Sequence, residues 1–334
     1  MGQFKAFAGA VAMLVLSAAG ASMARAENPE VFQLETKIPL GEVNGRIDHM
    51  AVDLARGRLF VAELENDTVG IVDLNDRKLL RTIAGLKGPQ GVGYVPSTDT
   101  LYVANGGTGS VQLLQGPDYA AGGQIDLGED ADNVRVDIAG NRVFVAHGGG
   151  MLAVIDPAAR RTIADIALKS DLESFQLDPG SKRIFVNLAK RSAIGVADRG
   201  TGKLIATWPV SGANGNFPMA LDPDAQRILV GFRNPAKLGV FSMRDGARVA
   251  LVDACADADD MFIDRKRGRL YATCGEGFLD VFDAKNGAYP RLAHIGTVSG
   301  ARTSLFVPEL DRFLLAVRAR PGEPAAVWVF RPTP

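Results

Sequence analysis

Beyond its first few dozen residues the chain repeats one arrangement of apolar and polar positions. A short alternating run ends in Asp and a turn; a basic residue then opens a second run rich in Val, Phe and Leu. The pattern reads HMAVDLARGRLFVAEL from His49, QGVGYVPSTDTLYVANG from Gln90, NVRVDIAGNRVFVAHG from Asn133 and SFQLDPGSKRIFVNL from Ser174. It continues as PMALDPDAQRILVGF from Pro218, DMFIDRKRGRLYATC from Asp260 and TSLFVPELDRFLLAV from Thr303. Equivalent positions in the second run are Phe60, Tyr102, Phe144, Phe185, Leu229, Tyr271 and Leu314, spaced 41–44 residues apart. Period-two alternation predicts strands, and Asp178-Pro179-Gly180 and Asp222-Pro223 predict the hairpin turns between them. A third strand follows, such as residues 68–73, and a fourth, such as 79–83. No stretch keeps a helical period over several turns. Four strands per unit of about 40–45 residues is the signature of a propeller. The expected fold is all-β, a seven-bladed β-propeller of four-stranded blades.

The ends of the repeat predict how the ring closes. The seventh unit has a third strand at residues 326–330 but no fourth, and a surplus strand at 32–38 precedes the first unit. Pairing these two completes the last blade and leaves no open edge in the ring.

The region before the repeat reads as a leader. Lys5 precedes an apolar run from Ala6 to Ala19, and Ala24-Arg25-Ala26 offers a small-x-small cleavage pattern. The run is short for a membrane span and charges follow it closely. Residues 1–26 are therefore expected to be a signal peptide cleaved after Ala26. Residues 27–334 are expected to be one propeller domain, periplasmic or secreted, monomeric and without a membrane span. Removing Lys5 and Arg25 shifts the formal charge from −1 to −3. A near-neutral chain of this kind carries no nucleic-acid footprint.

RLFVAEL, TLYVANG and RVFVAHG, with IVDL and VIDP in their third strands, make the chain resemble the YncE-like YVTN-repeat propellers over residues 31–331. The resemblance implies the fold, the repeat number and export; such a fold hosts many roles. No Trp-Asp dipeptide closes the units, unlike intracellular WD40 scaffolds.

The two cysteines, Cys255 and Cys274, lie before the first strand of blade six and at the end of its second strand. A hairpin brings those points to the same face, and an oxidising compartment permits a disulfide there. Two free thiols are the alternative. Neither fits covalent haem or an iron–sulfur site.

Candidate chemistry sits where each first strand begins, because those strands line the central channel. The residues there include His49, Gln90, Asn133, Glu173, Asn216, Asp260 and Arg302, with Asp48, Asp132 and Asp259 beside them. Glu63, Asn105, His147, Asn187, Arg233 and Arg318, after the second strands, are expected to add to the same polar, acid-rich mouth. Glu173, Asn216 and Asp260 are candidate ligands for a divalent cation such as Ca²⁺, Mg²⁺ or Mn²⁺. This set is similar to the ligand choice of regucalcin-like propellers. Arg302 is a candidate anchor for an anionic group, and His49 for acid–base work, because a free imidazole titrates near neutrality.

The bland reading is that channel residues are polar because water reaches them. His147 is expected in an exposed glycine loop, His294 in an outer strand, and Gly106-Gly107 and Gly148-Gly149-Gly150 in turns of positive φ. Only Phe217 stands where an aromatic cofactor platform would be needed. No nucleophile elbow, H-E-x-x-H or paired CxxC is present. The leading expectation is a binding module for a small ligand or a periplasmic protein partner. The alternative is a metal-dependent lactonase- or lyase-like enzyme in the same mouth, with His49 and Arg302 as catalytic candidates. A redox-accessory subunit is a third reading, by analogy of fold.

Overall fold

The computed structural model describes Met1, Gly2 and residues 31–334; residues 3–30, with most of the expected leader and its cleavage point, lie outside the described residues. Among the described residues, no helix is long and apolar enough to cross a membrane.

Period-two patterning becomes seven four-stranded antiparallel sheets arranged as blades. Blade 1 is formed by Met50–Asp53, Arg58–Glu63, Thr68–Asp73 and Lys78–Ala84, from the inner strand outward. The only helical segments among the described residues are four three-residue 3-10 turns. The recurring aromatic or leucine of each second strand has a constant cross-strand partner. Phe60 faces Ala51, Tyr102 faces Gly93, Phe144 faces Arg135 and Phe185 faces Gln176. Leu229, Tyr271 and Leu314 face Ala220, Phe262 and Leu305. The 41–44-residue repeat in sequence is thus a ring of seven inner-strand positions in space.

The core lies between blade faces. One cluster joins Tyr102 and Ala104 of blade 2 to Val143 and Val145 of blade 3; another joins Leu59 and Val61 of blade 1 to Leu314 and Ala316 of blade 7. Each fully buried Leu or Phe stabilises the contact by about 1.5–3 kcal/mol. Arginines in the turns after the inner strands add fixed links between blades. Arg56 binds Asp53 of its own turn at 2.8 Å and Asp99 of blade 2 at 2.7 Å. Arg267 repeats this with Asp264 at 2.9 Å and Asp311 of blade 7 at 2.7 Å.

The ring closes by antiparallel pairing of Phe32–Pro39 with Ala326–Pro332, from Phe32 opposite Pro332 to Pro39 opposite Ala326. The N-terminal strand is the outer strand of blade 7. Cys255 and Cys274 are joined by a disulfide across Cα atoms 5.8 Å apart, at the mouth side of blade 6.

Candidate functional site

Arginine–aspartate pairs organise the face where the inner strands begin. Arg233, near the end of the second strand of blade 5, reaches Asp257 at 3.1 Å and Asp259 at 2.6 Å. Arg302, just before the inner strand of blade 7, reaches the same two carboxylates at 2.8 and 3.1 Å. Both aspartates stand at the start of blade 6, so the network clasps three successive blades. The Arg233 guanidinium also covers the Phe217 ring at 3.6 Å, a cation–π contact that fixes this aromatic at the mouth. At the seam between blades 7 and 1, Arg46 pairs with Asp48 at 2.8 Å.

Two cavities meet behind this clasp. A small one of about 40 Å³ is bounded by Arg46, Asp48, Asp132, Asn133, Glu173 and Phe217. The central channel, about 470 Å³, continues along the inner strands and carries all seven positions of the ring on its wall. His49, Ser174 and Asp259 line both cavities and form the neck between them.

Burial controls the charge at the neck. It pushes Glu173 up to about 7 and Asp260 up to about 8. Asp132 is held well above the usual carboxylate range by burial and then by neighbouring Asp48 and Glu173. None of the three forms an ion pair with Lys or Arg among the described residues; the nearest approach is His49 Nε2 to Asp132 Oδ1 at 4.0 Å. Asp260 Oδ2 accepts the Ser304 amide at 2.8 Å. His49 moves the other way, down to about 4, through burial and the positive charge of Arg135. A neutral imidazole and carboxyl groups raised to about neutrality place hydrogen-bonding groups that can change charge around the neck. A ligand of either sign can convert them.

The predicted residues divide accordingly. His49, Asn133 and Glu173 meet at the mouth cavity, while Asp260 faces the channel below. Asn216 does not join them: it is 0% exposed, and its Nδ2 donates to Asn187 Oδ1 and the Ala193 carbonyl, both at 3.0 Å. Gln90 sits at the rim and donates to Asp130 Oδ1 at 3.2 Å. Arg302, the candidate anchor for an anionic group, is engaged by Asp257 and Asp259. His49, the candidate for acid–base work, is shifted down to about 4.

The ends of the second strands correct the sequence reading further. Glu63 and Asn187 turn into the sheet interface and are fully buried. Asn105 is buried too, accepting from the Lys87 amide at 3.2 Å. His147 ends a strand and is not in a loop; its Nε2 lies 3.1 Å from Asp165 Oδ1 on the outer strand. The last residue of a second strand therefore faces its sheet neighbours, and of the six predicted there only Arg233 and Arg318 reach the mouth. His294 does lie in an outer strand, with Nδ1 2.6 Å from Asp280 Oδ1 and its ring stacked on Phe278 at 3.9 Å. Gly149 and Gly150 have positive φ, whereas Gly106 and Gly107 do not; Gly106 instead gives room to the Gln90 side chain.

Arg46 and Arg135 escaped the sequence reading. Arg135 had a usable signal: it is the one charged residue among the seven that pair with the repeat position.

Fold and site together define a seven-bladed propeller with a single clasped polar mouth opening on an axial channel. A chain described as Kuenenia stuttgartiensis Hydrazine Synthase superposes with a TM-score of 0.72 over 84% of this chain and 93% of that one. Its sequence identity is 16%, so the likeness is one of fold. No family model matches the chain, and no curated protein sequence does.

Proposed function

We propose that this chain is an exported binding module that holds a small ligand in the mouth of its channel. The observation that carries this reading is the trio Asp132, Glu173 and Asp260. These are three half-buried carboxyl groups without a basic partner, Asp132 and Glu173 on the mouth cavity and Asp260 on the channel wall below it. Buried polar groups ordinarily find partners within the fold, and those that face a cavity instead are available to a guest. A channel of about 470 Å³ also falls within the range of small-molecule sites. Export and membership of the YncE-like YVTN-repeat propellers rest on the leader pattern at residues 1–26 and on the RLFVAEL-type strands.

The test is a metabolite panel screened by thermal shift on the purified chain from Glu27, followed by calorimetry on any hit. A hit should stabilise the wild type, and Glu173→Ala, which removes the carboxyl altogether, should weaken its binding about tenfold while leaving the fold intact, the usual effect of losing a hydrogen bond at a binding site. A hit with unchanged affinity in Glu173→Ala and Asp132→Ala would remove the mouth from the reading. The panel includes Ca²⁺, Mg²⁺ and Mn²⁺ with elemental analysis to test the metalloenzyme alternative, although no group of three His, Cys, Asp or Glu side chains among the described residues is arranged to hold a metal ion. Chelator-sensitive melting with stoichiometric metal would favour the metalloenzyme alternative instead.

A further inference from the structure

Six of the seven ring positions on the channel wall are uncharged: Ala51, Gly93, Gln176, Ala220, Phe262 and Leu305. The seventh is Arg135. Its Nη1 donates to the Val134 carbonyl at 2.9 Å and its guanidinium lies 5.6 Å from the Phe175 ring. Among the described residues no carboxylate forms an ion pair with it. Three arginines of the mouth differ: Arg46, Arg233 and Arg302 are each held by aspartate, whereas Arg318 forms no ion pair among the described residues but lies off the channel wall. At the opposite end of the channel Arg265 is exposed and faces Asp224 at 3.7 Å. Arg135 is half-buried on the channel wall, and a charge drawn partly out of water is ordinarily paired because desolvation without a partner is costly. The groups whose charge acts on Arg135 are Asp260 and Asp132, both held toward their neutral forms by burial.

The wall beside Arg135 is apolar. Val136, Leu221, Phe262 and Leu305 are half-buried and face the channel. We infer that the channel takes a small organic anion with an apolar body, its carboxylate seated on the Arg135 guanidinium and its body against these side chains. A planar guanidinium matches a carboxylate through two parallel hydrogen bonds, and the neck above would supply further donors from neutral His49 and protonated Asp260.

This inference rests on the binding-module reading and names its ligand class. Its test uses two matched probe series, butyrate with hexanoate and butylammonium with hexylammonium, titrated into the wild-type chain and followed by amide chemical shifts. Carboxylates should bind, hexanoate more tightly than butyrate, with the shifts mapping to the inner strands. Arg135→Gln should lose about tenfold or more in affinity, and Arg135→Lys should keep part of it; equal melting temperatures of the three proteins exclude misfolding as the cause. Alkylammonium binding without carboxylate binding would overturn the anion inference and leave the channel standing as a site. Equal carboxylate affinity in wild type and Arg135→Gln would overturn it as well. Failure of both series on the wild type would sink the channel as a small-molecule site, and this inference with it.

Discussion

Glu63 shows how much one side chain can be displaced from its ordinary chemistry by the sheet around it. It is 0% exposed, its Oε2 accepts from the Thr68 hydroxyl, and its Oε1 has no hydrogen-bond partner and lies over Gly70. A Cβ on Gly70 would clash with that oxygen, so the glycine makes the room. Burial raises the carboxyl from 4.5 to about 7. The folded state then binds a proton that the unfolded chain has released, and its stability contribution falls as pH rises from 4.5 towards 7. Glu63→Gln, which keeps the protonated shape, should flatten that part of the melting-temperature profile measured across this window; an unchanged slope would show that Glu63 is not buried as described. None of this was legible in the sequence. Glu63 reads there as one more mouth acid, because the direction of a strand's last residue depends on which neighbouring sheet it meets.

At the scale of the element, the basic residues of the turns do different work from those that open the second strands. Arg267 is nearly buried and is held by Asp264, Asp311 and the Pro332 carbonyl. It links the turn of blade 6 to two parts of blade 7, the turn at Asp311 and the end of Ala326–Pro332. Arg267→Ala leaves Asp264, 1% exposed in its side chain, without its cation, and is expected to cost about 3–5 kcal/mol in urea denaturation. Arg265→Ala, two residues away in an exposed pair, should change stability by about 1 kcal/mol or less. The strands themselves were legible almost residue by residue. Thr68–Asp73 was readable as an apolar run, because each blade buries both faces of its middle strands against neighbours, and residues 32–38 from the strand that the seventh unit lacks. The pairing of Arg56 and Arg267 with the next blade was not, since the spacing of Asp99 and Asp311 carries meaning only once the blades are placed side by side.

For the whole molecule, the repeat settles the architecture and the symmetry breaks locate the site. Seven near-identical units would make a featureless channel; the departures at His49, Asp132, Arg135, Glu173, Asp260 and Arg302 make one end polar. The sequence could show that these residues differ, but not that Asn216 turns inward to Asn187 or that Arg302 is held by Asp257 and Asp259. Those contacts cross blades, so no spacing within one unit encodes them. Closure is the other whole-molecule property. Deleting residues up to Pro39 exposes the edge of Ala326–Pro332 and should lower the melting temperature and broaden the transition, read by circular dichroism alongside the intact chain. A sharp, unshifted transition would show that the ring does not depend on this strand.

That same strand imposes an order in time. Phe32 and its neighbours leave the ribosome early but have their partner only when residues 326–332 have been made, nearly the full length of the chain later. Until then six blades can form from local hairpins while the first described strand waits, and the nascent molecule is an arc with two open edges. Contacts so distant in sequence are slow to form, so the arc is the species most exposed to proteases and to pairing with other arcs.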